Sequence, residues 1–335
     1  MKPKNFISPE RIAIISVKKR ISKNKYIEAE EMNECYALQH KYTLIYLDEY
    51  HETSYNCKQP DFLFQRHCIV SNFALQYKHL FDYFLFIDND IGILNPKKKL
   101  EKYLPLNEEQ IIFYERYFNH EIAIGSFIFK NSHYTRRLLH FIADFIYKMP
   151  PIHCGGDNIP LHGAIFDFIA TSSYRKEYNI CNNIWNNLNI KINIWKNCMM
   201  YVACIRWALN KMDEGNNLYD YQSFDNNKII VLKKFNERRW VRDIWVTNFK
   251  FSTDDFFIHG LKSDYMLKEK KLIFDDFIFN RDLCRGPNYF DAWKYNNNSI
   301  TDTDTINKLL FYWKEKAYKE YIKLLEEGKI YNNYN

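Results

Sequence analysis

The chain has 335 residues, of which 47% are hydrophobic, and its 47 Lys and Arg against 41 Asp and Glu give a formal net charge of +6. This length and hydrophobic content suffice for one large domain with a substantial core. The basic residues stand in short, scattered groups without a recognisable nucleic-acid-binding module, which argues against a nucleic-acid partner. No apolar run is long enough for a signal peptide or a transmembrane segment, so we expect a cytoplasmic chain.

The eight cysteines fall at irregular intervals and form no Cys-x-x-Cys pair. This spacing indicates neither a zinc site nor a small disulfide scaffold, and we expect most of these residues to be reduced and buried. Cys57 and Cys68 flank one loop and helix. They are the pair that we expect to form if the compartment is oxidising instead.

Strands and helices alternate in the first part of the chain. Residues 11–17 and 43–48 are typical of buried strands, and a Glu-rich helical stretch, 25–40, lies between them. Residues 61–80 have helical spacing and lead into the apolar stretch 83–87. This alternation predicts an α/β fold with a mixed, mostly parallel sheet flanked by helices.

The rest of the chain contains fewer clear elements. In chain order we predict strands at 110–115 and 122–129, a helix at 132–148, a helix from about 157, an irregular stretch at 179–197, a polar loop at 213–227, strands at 228–232 and near 245–248, a short buried element at 256–259, and an amphipathic helix at 303–327. The predicted organisation is a single domain over 1–300 and a C-terminal helical extension over 301–335.

The predicted strand 83–87 ends in two carboxylates, Asp88 and Asp90, separated by Asn89. Side chains alternate along extended backbone, so the two carboxylates can leave the strand on the same side and converge on a cation. Open α/β sheets bind ligands at the carboxyl ends of their strands, where a divalent ion can join carboxylates to phosphates. The alternative is an ordinary Asp-Asn-Asp turn, and the buried strand before it favours the metal site.

Three other segments supply chemistry that such a site needs. His259 and Lys262 are the first and last of four consecutive residues and offer a metal ligand and a cation for a diphosphate, although a surface turn is the simpler alternative. Asp157 and Asn158 follow a Gly-Gly pair and can bind sugar hydroxyls, or Asp157 can simply cap the next helix. Arg66 opens a helix beside the predicted cleft, where solvent exposure is the alternative.

Several blocks in one order resemble a family of inferred glycosyltransferases, known mainly from nematodes and long classed as a domain of unknown function. The blocks are 64–70, 84–96, 111–116, 119–126, 155–158 with His162, 240–245 and 257–260. That family is in turn similar to the GT-A nucleotide-diphospho-sugar transferases, which include Golgi galactosyl-, mannosyl- and xylosyltransferases. The resemblance runs from roughly Arg11 to Lys262, and it implies a GT-A (Rossmann-like) fold.

The resemblance also assigns roles to individual positions. It implies a metal held by Asp88, Asp90 and His259, a diphosphate contact from Lys262, and a sugar pocket that includes Asp157 and Asn158. We also predict that Arg66, Asp88 and Asn89 bind the nucleotide and that Asp157 and Asn158 are catalytic. The family usually has Ala where this chain has Asn89, and Gly-Ala where this chain has Ile159 and Pro160. Typical relatives carry a Golgi membrane anchor, for which this sequence shows no apolar segment.

Together these patterns predict a hexosyl- or pentosyltransferase dependent on Mn²⁺ or Mg²⁺. Its partners would be a UDP-linked nucleotide-sugar donor and a glycan, protein or small-molecule acceptor with a free hydroxyl. One alternative is a catalytically silent sugar- or nucleotide-binding protein with the GT-A fold. Another is a sugar nucleotidyltransferase, although the first predicted strand lacks the Gly-rich phosphate loop that such enzymes normally have.

Overall fold

A mixed β-sheet forms the centre of the molecule. The computed structural model describes residues 7–19, 25–48, 54–150, 156–187, 193–215, 218–274 and 279–330. The strands in these residues are β1 (Ile12–Lys18), β2 (Thr43–Asp48), β3 (Tyr83–Ile87), β4 (Ile91–Ile93), β5 (Ile111–Glu115), β6 (Ile122–Lys130), β7 (Tyr221–Phe224), β8 (Ile229–Leu232), β9 (Val241–Asp243) and β10 (Phe257–His259). The main sheet has the order β2-β1-β3-β6-β5-β8-β7.

Most strands of the main sheet run in one direction. Strand β1 pairs in parallel with β2 and β3, and β5 pairs in parallel with β8. Both β3 and β5 are antiparallel to β6, and β7 is antiparallel to β8. Strands β1, β2, β3, β5 and β8 therefore end at the same edge of the sheet, which confirms the predicted mixed, mostly parallel α/β sheet and places Asp88 at the edge where such sheets bind ligands.

Helices cover the sheet on both faces. They are α1 (Ile27–His40), α2 (Phe62–Gln76), α3 (His133–Asp144), α4 (Asn158–Ile169), α5 (Arg175–Asn186), α6 (Ile194–Met212), α7 (Ser263–Lys268) and α8 (Thr303–Glu327). On β3, Phe84 and Phe86 enter the core shared with α2 to α6, whereas Leu85 and Ile87 enter the core shared with α1. A strand buried on both faces needs such a continuous apolar sequence. The predicted C-terminal helix is confirmed as α8.

A second, three-stranded sheet joins distant parts of the chain. Its order is β4-β10-β9, with β10 antiparallel to β4 and parallel to β9. In this register His259 lies opposite both Ile91 and Asp243. The sheet therefore brings the imidazole of His259 to the carboxylates that follow β3.

Three sequence-based assignments in the second half of the chain were wrong. The stretch 179–197, predicted as irregular, contains the end of α5 and the start of α6, where Cys181 and Trp185 are buried at helical spacing. The polar loop 213–227 contains β7, because a neighbouring strand satisfies its backbone. The strand expected near 245–248 is a 3₁₀ turn, Ile244–Thr247, and the true strand β9 precedes it.

The expectation of reduced cysteines was also wrong. Disulfides join Cys35 to Cys284, Cys57 to Cys68 and Cys181 to Cys204. Cys198 is disulfide-bonded as well. The sequence separations of these three pairs are 249, 11 and 23 residues, so the first connects α1 to the C-terminal part of the chain. Irregular spacing hid this pattern, because pairing depends on proximity in the fold and not on a sequence motif.

Because two histidines are buried, we expect the fold to be less stable in acid. Burial lowers the pKa of His162 from 6.5 to about 3, with Arg206 adding to the shift. Burial likewise lowers the pKa of His120 from 6.5 to about 4. Each neutral imidazole contributes stability that is fully present above pH 6.5 and is lost as the pH falls towards its folded-state pKa. We expect the free energy of unfolding to fall by about 1.4 kcal/mol per pH unit for each histidine below pH 6.5.

Urea denaturation between pH 7 and pH 5 measures this dependence. His120→Gln should reduce the decrease in the free energy of unfolding by about 1.4 kcal/mol per pH unit, the contribution expected of one histidine. His133→Gln is the matched control for replacing a histidine by glutamine, because His133 lies exposed on α3. Equal slopes in the wild type and the His120 variant would contradict a neutral His120 in the folded state.

Candidate metal centre

Asp88, Asp90 and His259 converge at the edge of the main sheet. One potential ligand atom from each lies within 4.8 Å of the others. Asp90 is buried, whereas Asp88 and His259 are partly exposed towards a cavity of about 660 Å³. Two carboxylates and one imidazole form a donor set that suits Mn²⁺ or a similar divalent ion. The residues present therefore fit a metal ion.

The backbone of the turn after β10 holds His259 against the Asp pair. The N–H groups of Gly260 and Leu261 both donate to the carbonyl oxygen of Asp90, each at 2.9 Å. Gly260 has φ +110°, and a Cβ there would lie 2.7 Å from the ring of Trp245, so only glycine fits. The same turn places Lys262 Nζ 3.6 Å from Asp90 Oδ2, with the lysine side chain 49% exposed.

Asp243 orients the imidazole of His259 from behind. His259 Nδ1 lies 2.7 Å from Asp243 Oδ1, and Arg116 Nη2 donates to the same oxygen at 3.1 Å. This pairing directs Nε2 towards Asp90 Oδ1, 3.3 Å away. A carboxylate on the far nitrogen of a histidine is the arrangement that fixes metal-binding imidazoles. Sequence analysis missed both Arg116 and Asp243 as individual residues, although each lies in a block that carried the family resemblance.

The charges of the cluster shift its pKa values. Burial opposes ionisation of Asp90, but His259 and Lys262 outweigh it and lower the pKa of this carboxyl to about 2. Burial likewise opposes protonation of His259, but Asp90 and Asp243 outweigh it and raise its pKa to about 10. Burial raises the pKa of Asp88, Asp90 adds to that shift, and Arg66 opposes it. The cluster is thus an ionic network that a cation can enter by displacing a proton.

Arg66 links Asp88 to a second carboxylate, Asp157. Its guanidinium pairs with Asp88 through Nη1 and with Asp157 through Nη2, the latter at 2.7 Å. His67 Nε2 lies 2.8 Å from the same Asp157 oxygen. Arg66 and His67 are both buried, so the solvent-facing alternative for this helix was wrong. The simple helix-cap alternative for Asp157 was wrong too, since its side chain makes no cap hydrogen bond to α4.

The structure brings every sequence-predicted site residue to the same region. Asp157, Asn158, Arg66, Asn89 and Lys262 all line the cavity of about 660 Å³ that contains the Asp pair. The side chains of Asn89 and Asn158 also form hydrogen bonds to neighbouring strands. Asn89 Oδ1 accepts from Ser16 Oγ at 2.7 Å, while Asn158 Oδ1 accepts from the Ile124 N–H at 3.2 Å. These bonds tie the Asp pair to the end of β1, and α4 to β6.

Because Gly125 on β6 has no side chain, the carboxylate of Asp88 can lie directly beside it. The Asp88 N–H donates to the Gly125 carbonyl at 2.7 Å, and a Cβ on Gly125 would lie 2.7 Å from Asp88 Oδ2. Gly125→Ala should displace this carboxylate and weaken Mn²⁺ binding by about 10-fold, comparable to the loss of a group that supports a metal ligand. Gly286→Ala is the matched control, since a Cβ on Gly286 would lie at an ordinary contact distance, 3.6 Å, from the Leu283 carbonyl oxygen. Competition for Mn²⁺ with a fluorescent chelator measures the affinity of both variants. Equal affinities would contradict the close approach of Asp88 to Gly125.

Residues 33–274 match the family described as "Protein of unknown function, DUF273", and the chain belongs to that family. No curated protein matches the chain significantly. Within the part of the chain that the structure describes, no helix combines the length and the apolar character needed to cross a membrane.

Three solved structures match parts of this chain at low sequence identity. A glycosyltransferase involved in the glycosylation of the major capsid of PBCV-1 is 11% identical, with TM-score 0.44, over 78% of this chain and 98% of that one. A197 from STIV is 12% identical, with TM-score 0.25, over 45% of this chain and 75% of that one. The apo-form glycosyltransferase GlyE of Streptococcus pneumoniae TIGR4 is 11% identical, with TM-score 0.31, over 60% of this chain and 64% of that one. At these similarities the function has to be argued from the site itself.

Proposed function

We propose that this protein is a metal-dependent glycosyltransferase that moves a hexosyl or pentosyl group from a nucleoside-diphosphate sugar, UDP-linked, to an acceptor hydroxyl. The observation that carries the proposal is the convergence of Asp88, Asp90 and His259 within 4.8 Å at the carboxyl edge of the sheet. They open into a cavity of about 660 Å³, within the usual size range for a small-molecule site. A three-ligand ion site beside such a cavity suits a phosphate-bearing donor.

Different residues around the metal ligands bind different parts of the donor. Lys262 is half exposed at the mouth of the site, so its ammonium can move from Asp90 to a diphosphate oxygen. Arg66 is buried and holds Asp88 and Asp157 in fixed positions. Asp157 and Asn158 line the same cavity at the start of α4 and supply hydrogen-bonding groups for the donor sugar. The chain thus offers separate groups for the metal, the diphosphate and the sugar.

Bound Mn²⁺ or Mg²⁺ would supply positive charge that stabilises the departing diphosphate. The protein itself fixes the positions of the metal ligands and orients the imidazole of His259 through Asp243. Preorganised charges of this kind need little rearrangement when negative charge develops on a leaving group. The geometry of the described residues therefore supports transfer chemistry in which diphosphate is the leaving group.

A nucleotide-release assay tests this function. The protein is incubated with Mn²⁺ and each of a panel of UDP-sugars, with simple glycosides as acceptors, and free UDP is measured. We expect UDP release from at least one donor, and none from Asp90→Asn. Pyrophosphate release from UTP and a sugar phosphate would instead identify a sugar nucleotidyltransferase. Metal-dependent UDP binding without turnover of any donor would favour a catalytically silent binding protein.

We also propose that the protein works in an oxidising compartment. Disulfides Cys35–Cys284, Cys57–Cys68 and Cys181–Cys204 support this, because such bonds persist in secretory and extracellular environments and are rare in the cytosol. This proposal replaces the cytoplasmic expectation, which rested on the absence of a recognisable export signal. It is compatible with the function proposed above, since nucleotide-sugar donors are also used within secretory compartments.

A further inference from the structure

The whole sequence contains one Asn-x-Ser/Thr triplet, Asn297-Asn298-Ser299. Its middle residue is not proline, so it has the pattern to which oligosaccharides are attached in secretory compartments. A triplet of this kind also arises by chance. Whether Asn297 can carry a glycan therefore depends on its surroundings in the fold.

A tight turn presents Asn297 at the surface. The Ser299 N–H donates to the Asn296 carbonyl at 2.9 Å, and the Asn298 N–H donates to the side-chain oxygen of Asn296 at 2.8 Å. These bonds make Asn297 and Asn298 the two central residues of a β-turn, and both are exposed. Within the residues that the structure describes, the Asn297 side chain makes no hydrogen bond. Its amide nitrogen is therefore available to carry a bulky group.

The chain on either side of the turn is fixed to the body of the protein. Tyr295 forms a β-bridge with Phe274 just before the turn, and Ile300 forms one with Phe251 just after it. Both Phe251 and Phe274 are buried. The turn is thus an exposed tip on an anchored base, so a glycan on Asn297 would extend into solvent without displacing a packed side chain.

Asn297 is not part of the candidate metal centre. It does not belong to the residues that line the cavity of about 660 Å³. It also lies outside residues 33–274, over which the chain matches its family. A glycan on Asn297 would therefore begin outside the proposed donor site, and family membership does not imply it.

We infer that Asn297 is an N-glycosylation site. The inference rests on the oxidising compartment proposed above, because asparagine glycosylation belongs to the compartments in which disulfides form, and it goes beyond the proposed transferase activity. In the reaction, Asn297 Nδ2 forms a bond to the anomeric carbon of an oligosaccharide carried on a lipid diphosphate. The bond from that carbon to the diphosphate oxygen breaks, the amide loses one proton, and the lipid diphosphate leaves.

The buried hydroxyl of Ser299 places this reaction before the segment folds. Ser299 is 8% exposed, and its Oγ donates to the Leu272 carbonyl at 2.5 Å. An enzyme that recognises the triplet through this hydroxyl cannot reach it in the folded protein. The newly made chain is therefore the substrate, and the folded protein afterwards holds the glycan at an exposed turn.

Peptide mapping of the protein from its native source tests the inference. The digest is treated with a peptide-N-glycosidase in water enriched in a heavy oxygen isotope, which converts a glycosylated asparagine into labelled aspartate. We expect the label at Asn297, and a digest without the enzyme controls for spontaneous deamidation. Thiols are alkylated at lysis, so the same digest also reports whether Cys35 and Cys284 are paired.

The two readouts separate the glycan from the compartment. Unmodified Asn297 together with an intact Cys35–Cys284 disulfide would overturn the inference and leave the proposed compartment in place. Unmodified Asn297 with both cysteines recovered as alkylated thiols would overturn both. Neither result bears on the metal centre, which the nucleotide-release assay tests separately.

Two variants of the full chain separate the acceptor from its neighbour when an added export signal directs them into the secretory pathway of a eukaryotic host. Asn297→Gln should abolish the change in electrophoretic mobility that the glycosidase produces. Asn298→Gln is the matched control, because it changes the adjacent exposed residue of the same turn and keeps the triplet intact. It should be glycosylated like the wild type. Equal mobility of the wild type and the Asn297 variant before glycosidase treatment would overturn the inference.

Discussion

Asp90→Asn is expected to weaken Mn²⁺ binding by 10- to 100-fold or more, with little change in the folded structure. Losing even a group that supports a metal ligand typically costs about this much, and Asp90 is proposed as a direct ligand. The fold should survive because the contact that anchors β10 uses the carbonyl oxygen of Asp90, which accepts from Gly260 and Leu261. The substitution leaves that carbonyl in place and removes only the negative charge.

The measurement is the free Mn²⁺ signal in electron paramagnetic resonance during a titration with protein. Asp264→Asn is the matched control, since Asp264 is exposed on α7 close to Lys262 in sequence. We expect the control to bind Mn²⁺ like the wild type. If Asp90→Asn and Asp264→Asn have equal affinities, Asp90 is not a metal ligand. Thermal unfolding of each variant separates a lost ligand from a damaged fold.

The Cys35–Cys284 disulfide should contribute more stability than any other pair described here. It closes a loop of 249 residues, and constraining so long a loop in the unfolded chain is worth about 5 kcal/mol in the chain-entropy account. The Cys57–Cys68 pair closes a loop of 11 residues, for which the same account gives about 3 kcal/mol. Replacing both cysteines of a pair by serine should lower the free energy of unfolding accordingly.

Urea denaturation of the two double variants, Cys35→Ser with Cys284→Ser and Cys57→Ser with Cys68→Ser, gives the comparison. We expect the first to be the less stable of the two. Alkylation of thiols at lysis, followed by mass spectrometry, checks the pairing in protein from its native source. Recovery of Cys35 and Cys284 as alkylated free thiols would contradict both the disulfide and the proposed oxidising compartment.

The Asp pair was predictable because its signal is local. An apolar run from Tyr83 to Ile87 identifies a buried strand, and the alternation of side chains then places Asp88 and Asp90 together. The parallel arrangement of the first strands followed from the same kind of local pattern. Prediction worked where neighbouring residues alone determine which element forms.

The surroundings of the candidate metal centre depend on contacts between distant residues. Asp243 supports His259 only because β9 and β10 pair in register, and periodicity does not reveal that pairing. The need for glycine at position 125 appears only once β6 lies beside β3. The family resemblance selected His259 and Lys262, whereas residue patterns alone left them as a surface turn. These features depend on packing between residues that are distant in the sequence, so local patterns could not predict them.

Isothermal titration of UDP into the protein, with Mn²⁺ and separately with EDTA, tests the proposed donor site most directly. The arrangement of Asp88, Asp90, His259 and Lys262 predicts saturable binding of UDP in Mn²⁺ and much weaker binding in EDTA. Asp90→Asn should lose the difference between the two conditions. Equal binding of UDP with Mn²⁺ and with EDTA, or no binding in either, would contradict a metal-dependent nucleotide site.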